Sequence, residues 1–202
     1  MCPFCYIGKR RLESALLQFP QGNQAEIIWK SFQLNPDIQT NVHLSTHDYL
    51  AAHKGISLEQ AKKMGDYVTQ LAKEEGLEYN FDRAVVANSL KAHRFSHFAK
   101  KFGKQNEAEE LLFQAYFTDG KNIDEDETLL QLGLVLELDT EALRKVLKSE
   151  QFKDEVIADI EEAQQAGVRG VPFFIFNRKY AISGAQEASA FLQTLEKVFE
   201  TE

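Results

Sequence analysis

Both cysteines of this 202-residue chain lie in one short motif, Cys2-Pro3-Phe4-Cys5. A helical pattern follows directly, so the sequence predicts Cys2 at the N-terminus of a helix. Unpaired backbone N–H groups and the helix dipole favour negative charge at that end. A thiolate is such a charge, so we expect the pKa of Cys2 to be lowered. Cys2 would then attack a substrate disulfide, and Cys5 lies one turn further on. This arrangement is typical of a dithiol/disulfide switch.

The same two cysteines are compatible with half of a zinc site. A structural zinc ion usually takes four ligands, so two imidazoles would have to complete the set. His93 and His97 lie one turn apart on a predicted helix, which is a spacing that suits a metal. A site of three or four thiolates is excluded by the cysteine count. We therefore favour redox chemistry and expect neither a metal nor a bound cofactor.

The elements that must position the motif follow from the hydrophobic pattern. Apolar residues at helical spacing predict a first helix over 3–18, and a run of β-forming residues predicts a strand over 26–32. Residues from about 40 to 166 carry helical patterns almost throughout. After Gly167 the pattern predicts a β-hairpin and then a closing helix. The predicted order is therefore helix, strand, helical block, hairpin and helix.

This order matches a known core once a single strand is placed before Cys2. The outer elements then give the β-α-β-β-β-α order of the thioredoxin core, and the helical block becomes an insertion. We therefore predict an α/β chain with a thioredoxin-like domain at 1–39 and 167–202. The predicted all-helical insertion domain covers 40–166.

A proline begins the first strand of the predicted hairpin, and two interpretations remain open. A proline is tolerated at an edge strand, where its missing N–H needs no partner. Alternatively the Val171–Pro172 bond is cis and faces the cysteines, since a cis bond costs least before proline. In that case the backbone of Val171 would pair with an extended substrate, and Pro172 would pack near the sulfurs.

Four parts of the chain resemble the DsbA-like family of the thioredoxin-fold superfamily, specifically its FrnE branch. They are Cys-Pro-Phe-Cys-Tyr-Ile-Gly-Lys-Arg at 2–10, Ser-Phe-Gln-Leu-Asn-Pro at 31–36, Asn-Ser-Leu-Lys-Ala-His-Arg at 88–94, and Gly-Val-Pro-Phe-Phe at 170–174 with Ser-Gly-Ala-Gln at 183–186. The resemblance implies a thioredoxin fold interrupted by a helical insertion. It also implies thiol–disulfide oxidoreductase or isomerase activity on protein or small-molecule thiols, with Cys2 and Cys5 catalytic.

Four further side chains are candidates for contact with the substrate. Phe4 and Tyr6 are predicted to line an apolar rim, with ordinary core packing as the alternative. The resemblance indicates that the helix carrying Asn88 and His93 faces the cysteines. From the bare sequence, Asn88 marks a helix start and His93 is a surface or core residue.

Two departures from the family modify these expectations. The strand that precedes the motif in the family is absent from this sequence, and it is central in the sheet, so we expect a gap between its neighbours and a lowered stability. Periplasmic DsbA has a histidine at the position of Phe4, and a histidine can stabilise a thiolate. A less stabilised thiolate gives a less oxidising disulfide, which suits isomerase or reductase activity.

Two other functions remain open at this point. Kappa-class glutathione transferases and hydroxychromene-carboxylate isomerases resemble this chain in their helical insertion, but they carry serine in place of the first cysteine. A glutathione-dependent isomerase is therefore the first alternative, with glutathione as co-substrate. A peptide-binding holdase with incidental thiols is the second.

Charge and composition restrict the partners and the compartment. The net charge of −8 disfavours nucleic acid, and the basic run Lys9-Arg10-Arg11 is predicted to be a solvated helix face. The sequence has no apolar run long enough for a bilayer, so we expect no membrane partner. Cysteines confined to one motif do not suggest a disulfide-stapled secreted domain, and we expect a bacterial cytoplasmic protein. The oligomeric state is left open.

Overall fold

A computed structural model describes residues 1–201, which form nine α-helices and four short strands. The helices are α1 (Pro3–Gln18), α2 (Thr46–Lys54), α3 (Leu58–Glu74), α4 (Leu90–Lys100), α5 (Gln105–Phe117), α6 (Asp126–Val135), α7 (Thr140–Leu147), α8 (Lys153–Gln165) and α9 (Ala188–Glu200). The strands are β1 (Asn41–Ser45), β2 (Val85–Val86), β3 (Phe173–Phe176) and β4 (Tyr180–Ser183).

Helix α1 begins and ends where the sequence predicted. Cys2 is its N-cap residue, with an extended backbone and no side-chain capping bond. Pro3 occupies the first helical position, where the missing N–H of proline has no partner to lose. The first turn of α1 therefore leaves backbone N–H groups directed towards Cys2.

The predicted hairpin and closing helix are confirmed. Strands β3 and β4 pair antiparallel from Phe173 opposite Ser183 to Phe176 opposite Tyr180. Asn177, Arg178 and Lys179 connect them. The first two have positive φ angles of 46° and 57°, and the Lys179 N–H donates to the Phe176 carbonyl at 2.9 Å, which closes the turn. Helix α9 then covers the hairpin and α1 through a small core of Ala15, Ile182, Phe191 and Leu195.

The strand predicted over 26–32 is not formed. The backbone here is bound by side chains: the Ser31 N–H donates to Asp159 at 2.8 Å, and the Trp29 carbonyl accepts from Gln105 at 3.4 Å. Within residues 1–201, β3 pairs with β4 alone. A β-forming pattern makes a strand only beside another strand, and this segment has no such neighbour in the described chain.

The helical block is the larger part of the fold, but it is not all-helical. Strands β1 and β2 form a small antiparallel sheet inside it, with Asn41 opposite Val86 and an irregular register. Helix α3 begins with the capping box that the sequence suggested at Ser57 and Gln60. Within residues 1–201, no helix has both the length and the apolar character needed to cross a membrane.

The main hydrophobic core belongs to the helical block and reaches the motif. Tyr6 and Ile7 of α1 pack into it beside fully buried residues such as Phe95, Leu112 and Leu129. Helix α1 is therefore packed against the hairpin and α9 on one side and against the helical block on the other. The division of the chain at residues 39 and 167 stays a prediction.

Candidate active site

Three donor groups face the sulfur of Cys2 and lower its pKa. They are the thiol of Cys5 and the backbone N–H groups of Phe4 and Cys5. The Cys5 N–H also donates to the Cys2 carbonyl at 3.1 Å, which closes the first turn of α1. Both cysteines are free thiols and partly buried.

The two thiols differ in acidity because the hydrogen bond between them is one-sided. Donation by Cys5 and by the two N–H groups lowers the pKa of Cys2 to about 7, although burial opposes the shift. The same bond and burial raise the pKa of Cys5 well above its usual value. At pH 7 Cys2 is therefore about half ionised, while Cys5 remains a thiol. Cys2 is suited to attack a disulfide and Cys5 to act second.

The segment that opens β3 lies opposite Cys2. The protonated Cys2 thiol donates to the Val171 carbonyl at 3.4 Å, and the Val171–Pro172 bond is cis. The Pro172 carbonyl in turn accepts from the N–H of Gly184 at 2.8 Å. A groove of about 340 Å³ runs along this segment, lined by Gly167, Arg169, Gly170, Val171, Pro172, Phe173, Ser183 and Gly184. The structure thus brings Cys2, Val171 and Pro172 together beside an open groove.

Gly8 allows this close approach of α1 to the hairpin. A Cβ atom at Gly8 would lie 3.0 Å from Cζ of Phe174 and 3.3 Å from Cγ of Pro172. Both separations are tight for carbon atoms, so a larger residue would push α1 away from Pro172. The distance between the cysteines and Pro172 therefore depends on a glycine in the second turn of α1.

Phe4 and Tyr6 have different surroundings. Phe4 is partly buried and packs against the main core. Tyr6 is only 4% exposed, its ring is stacked on Phe113 at 5.0 Å, and its hydroxyl donates to Glu110 at 2.5 Å. The prediction that Tyr6 lines the rim is wrong, and the core-packing alternative is correct. The side chain faces α5 because its hydroxyl finds a carboxylate there.

The basic run of α1 is not a solvated face, which corrects the prediction. Lys9 has a nearly buried side chain, and its Nζ lies 2.7 Å from Glu110 and 2.5 Å from Glu13. Arg10 also pairs with Glu110. Burial alone would raise the pKa of Glu110, but hydrogen bonds from Arg10, Lys9 and Tyr6 lower it to about 2. These ion pairs join α1 to α5 next to the motif.

Asn88 braces a loop. Its side-chain amide donates to the carbonyls of Pro36 and Ile38 at 3.1 and 3.0 Å. Its side-chain oxygen accepts from the backbone N–H of Leu90 at 2.8 Å. Both hydrogens and the oxygen of the amide are thereby used. The structure gives Asn88 a local structural role and leaves its predicted contact with substrate without a free polar group.

His93 faces the amino group of Met1, and that amino group lies near both cysteines. Burial lowers the pKa of His93 to about 4. His93 is therefore neutral at pH 7 and does not supply a positive charge to the Cys2 thiolate.

His97, the second histidine of the zinc alternative, is engaged elsewhere. Its Nε2 lies 3.1 Å from both Ser31 Oγ and Asp159 Oδ2. Among residues 1–201 there is no group of three or more His, Cys, Asp and Glu side chains arranged to hold a metal ion. The buried Asp159 also accepts from the Ser31 N–H and from Lys30. These contacts hold residues 30–31, which precede the loop that Asn88 binds, in place.

Two residues near the cysteines were not found from the sequence. The Tyr79 hydroxyl donates to the carbonyl of Pro3 at 2.7 Å, inside the motif. Glu109 is buried, accepts from the Ser96 hydroxyl at 2.6 Å and faces Cys5. Burial raises the pKa of Glu109 to about 7. The helical periodicity could have indicated that Glu109 is buried, because it shares the buried face of α5 with Leu112. Tyr79 lies outside any periodic element, so no such pattern marks it.

Comparison with known proteins adds a family and a fold. A family model described as "DSBA-like thioredoxin domain" matches residues 1–196. A solved structure, "probable DsbA oxidoreductase SCO1869 from Streptomyces coelicolor", is 35% identical with a TM-score of 0.93. The match covers 100% of this chain and 87% of that one.

Two further proteins resemble the chain more distantly. "Uncharacterized protein YwbO" of Bacillus subtilis (strain 168) is 27% identical over 178 residues, which is 87% of this chain and 82% of YwbO. The structure titled "Cytosolic disulfide reductase DsbM from Pseudomonas aeruginosa" is 17% identical with a TM-score of 0.69, covering 100% of this chain and 96% of DsbM. The second likeness supports the fold.

Proposed function

The chain belongs to the DsbA-like family of thiol–disulfide oxidoreductases, and we propose that it exchanges disulfides with protein or small-molecule thiols through Cys2 and Cys5. The observation that carries the proposal is the set of three donors on the Cys2 sulfur, opposite Val171 and Pro172. A lowered thiol pKa beside a backbone carbonyl that can bind a peptide is the arrangement that thiol–disulfide exchange needs.

The reductive reaction takes two steps. The Cys2 thiolate attacks one sulfur of the substrate disulfide, a Cys2–substrate disulfide forms, and the other substrate sulfur leaves and takes up a proton. Cys5 then loses its proton and attacks the Cys2 sulfur, so that a Cys2–Cys5 disulfide forms. The second substrate sulfur leaves and is protonated. The substrate gains two electrons and two protons, the protein loses the same, and the reverse sequence oxidises a dithiol.

The segment opposite Cys2 is the proposed binding site for the substrate chain. The Val171 carbonyl accepts from the Cys2 thiol in the free protein, so it is released once Cys2 has reacted. An extended peptide can then donate a backbone N–H to it, with neighbouring residues in the groove along β3. Pro172, in the groove, and Phe4, within the motif, are the proposed apolar contacts for the substrate chain.

The pKa of Cys2 favours reduction or isomerisation over strong oxidation. The reactive cysteine of thioredoxin has a pKa near 7 and that of DsbA near 3.5, and the corresponding potentials are about −270 and −120 mV. With a pKa of about 7, Cys2 resembles the reducing case. Phe4 fits this direction because it adds no charge to the thiolate. We propose a cytoplasmic location, because both cysteines are used in the motif.

The alternatives are less well supported. A glutathione-dependent isomerase of the kappa-class type needs no second thiol, yet here Cys5 is the first donor to Cys2. A holdase needs no acidic thiol at all. Glutathione remains a suitable reductant for the Cys2–Cys5 disulfide.

Reduction of insulin by the purified chain tests the proposal. Wild-type protein should accelerate precipitation of the reduced insulin chains, and Cys2→Ser should abolish the acceleration. Suppression of aggregation of an unfolded protein is measured in parallel, because a holdase would keep that activity in Cys2→Ser. Equal insulin reduction by wild type and Cys2→Ser would disprove the proposed exchange. A potential as high as that of DsbA, from titration against glutathione, would disprove the reductive direction.

A further inference from the structure

We propose that Tyr79, a residue of the helical block, is a positioning residue of the Cys-Pro-Phe-Cys motif and acts on the Cys2 sulfur through the peptide group that joins Pro3 to Phe4. The inference rests on the proposed function, because it concerns the thiolate that function requires. It assigns a role in the chemistry to the inserted part of the chain.

The geometry is a hydrogen bond to a peptide group that faces the Cys2 sulfur. The Tyr79 hydroxyl donates to the Pro3 carbonyl oxygen at 2.7 Å. That carbonyl shares its peptide group with the N–H of Phe4, which lies in the first turn of α1, faces the Cys2 sulfur and lowers its pKa. A hydrogen bond at the carbonyl end of a peptide group polarises the group, so it strengthens the N–H at the other end. The phenol therefore reaches the sulfur without touching it.

Tyr79 is held rigidly by elements other than the motif. Its ring is stacked on Phe117 at 4.7 Å, and its side chain is 8% exposed. The next backbone N–H, of Asn80, donates to the Phe117 carbonyl at 2.7 Å. On the other side, the Thr118 hydroxyl donates to the Glu78 carbonyl at 2.7 Å. The end of α5 thus fixes the phenol, and the motif gains a donor that is already in place.

Tyr79 also stays protonated while Cys2 titrates. Burial, and then the negative charge of the Cys2 thiolate, raise the pKa of Tyr79 above its ordinary value. The phenol therefore remains a donor throughout the neutral range. The other titratable groups near this chain of bonds are the amine of Met1, Cys5, Tyr6, Arg10 and Glu109. A Tyr79→Phe substitution removes one hydroxyl and keeps all of these groups.

The test is the pKa of Cys2 in Tyr79→Phe, obtained from the rate of iodoacetamide alkylation against pH. Loss of the Tyr79 hydroxyl should weaken the interaction of the Phe4 N–H with the Cys2 thiolate by about 10–30%. The pKa of Cys2 should then rise by up to about half a unit, which leaves roughly two-fold less thiolate at pH 7. Tyr116→Phe is the matched control, because Tyr116 is also buried and its ring packs against Phe117 at 4.9 Å. We expect the control to keep the wild-type pKa.

Three outcomes would overturn the inference. They are a wild-type Cys2 pKa in Tyr79→Phe, an equal shift in both variants, and the absence of a Tyr79 response in wild-type protein. The last is measured by NMR: the ring carbons of Tyr79 should titrate with the midpoint of Cys2. This measurement decides the matter if Tyr79→Phe does not fold. Alkylation needs no substrate, so failure of insulin reduction by wild type would refute the proposed exchange separately.

Discussion

Replacing Cys5 tests the source of the low Cys2 pKa most directly. The thiol of Cys5 is the largest of the influences that lower this pKa. Cys5→Ala removes the donor, while Cys5→Ser keeps an O–H at nearly the same place. We expect the pKa of Cys2 to rise in Cys5→Ala and to stay near 7 in Cys5→Ser. The two variants have equal numbers of thiols, so the comparison isolates the hydrogen bond.

The size of the effect follows from the strength of the bond. A hydrogen bond to a charged group contributes about 1.5–3 kcal/mol, which corresponds to roughly 1–2 pKa units. The pKa of Cys2 in Cys5→Ala should therefore lie near 8–9, and the thiolate fraction at pH 7 should fall about 5- to 50-fold. The intrinsic nucleophilicity of a thiolate rises with its pKa, with a slope of about 0.4–0.5. The alkylation rate at pH 7 should consequently fall by only about 2- to 6-fold.

The pH midpoint is therefore a better readout than a single rate. Iodoacetamide alkylation of each variant is followed from about pH 5 to about pH 10, which spans the expected pKa values. The ultraviolet absorbance of the thiolate checks the midpoint independently. Near-UV circular dichroism establishes that both variants are folded. Equal midpoints for Cys5→Ala and Cys5→Ser would refute the assignment of the Cys5 thiol as the main donor. The backbone N–H groups of Phe4 and Cys5 would then be the main influences that lower the pKa of Cys2.

Two further predictions concern carboxylates in ion pairs. Glu110→Ala should lower the free energy of unfolding by about 2–3 kcal/mol, because it removes the carboxylate that Lys9, Arg10 and the Tyr6 hydroxyl share and leaves the two cations with Glu13 alone. In contrast Glu59→Ala, in the exposed pair with Lys63, should lose less than about 0.5 kcal/mol. Equal losses in denaturant titrations would contradict this. Burial opposes ionisation of Asp159, but hydrogen bonds from His97, Ser31 and Lys30 lower its pKa to about 2. Its stabilising contribution is therefore complete above pH ~4 and lost as the pH falls towards 2, so Asp159→Asn should show a flatter loss of stability over that interval.

Local signals predicted most of the elements that position the site. The helix after the motif, the capping box at Ser57 and the Asn177-Arg178 hairpin depend on residues close together in the chain, and each was found where expected. The predicted strand over 26–32 had a strong local pattern too. It failed because a strand is defined by its neighbour, and Asp159 and Gln105 bind this backbone instead.

The residues of the site show the same difference between local and long-range determinants. Cys2, Cys5 and the Val171–Pro172 segment could be identified because each belongs to a short motif with its own chemistry. The surroundings of Lys9 and Tyr6 could not, since both side chains are bound by Glu110, about a hundred positions away. A basic run followed by polar residues predicts a solvated face unless such a partner is known. Contacts of this range depend on the packed structure and leave no periodic trace in sequence.

The residues that sequence analysis missed have a common origin. Tyr79, Glu109 and Glu110 all come from the helical block, and each acts on α1 within its first three turns. The Cys5 thiol and the first-turn N–H groups of α1 lower the pKa of Cys2. The inserted helices add charge and hydrogen bonds to the same part of α1. Because the Pro3 carbonyl is bound by Tyr79, the proposed role of Tyr79 predicts a less acidic first cysteine for the same Cys-Pro-Phe-Cys motif on a thioredoxin core without this insertion.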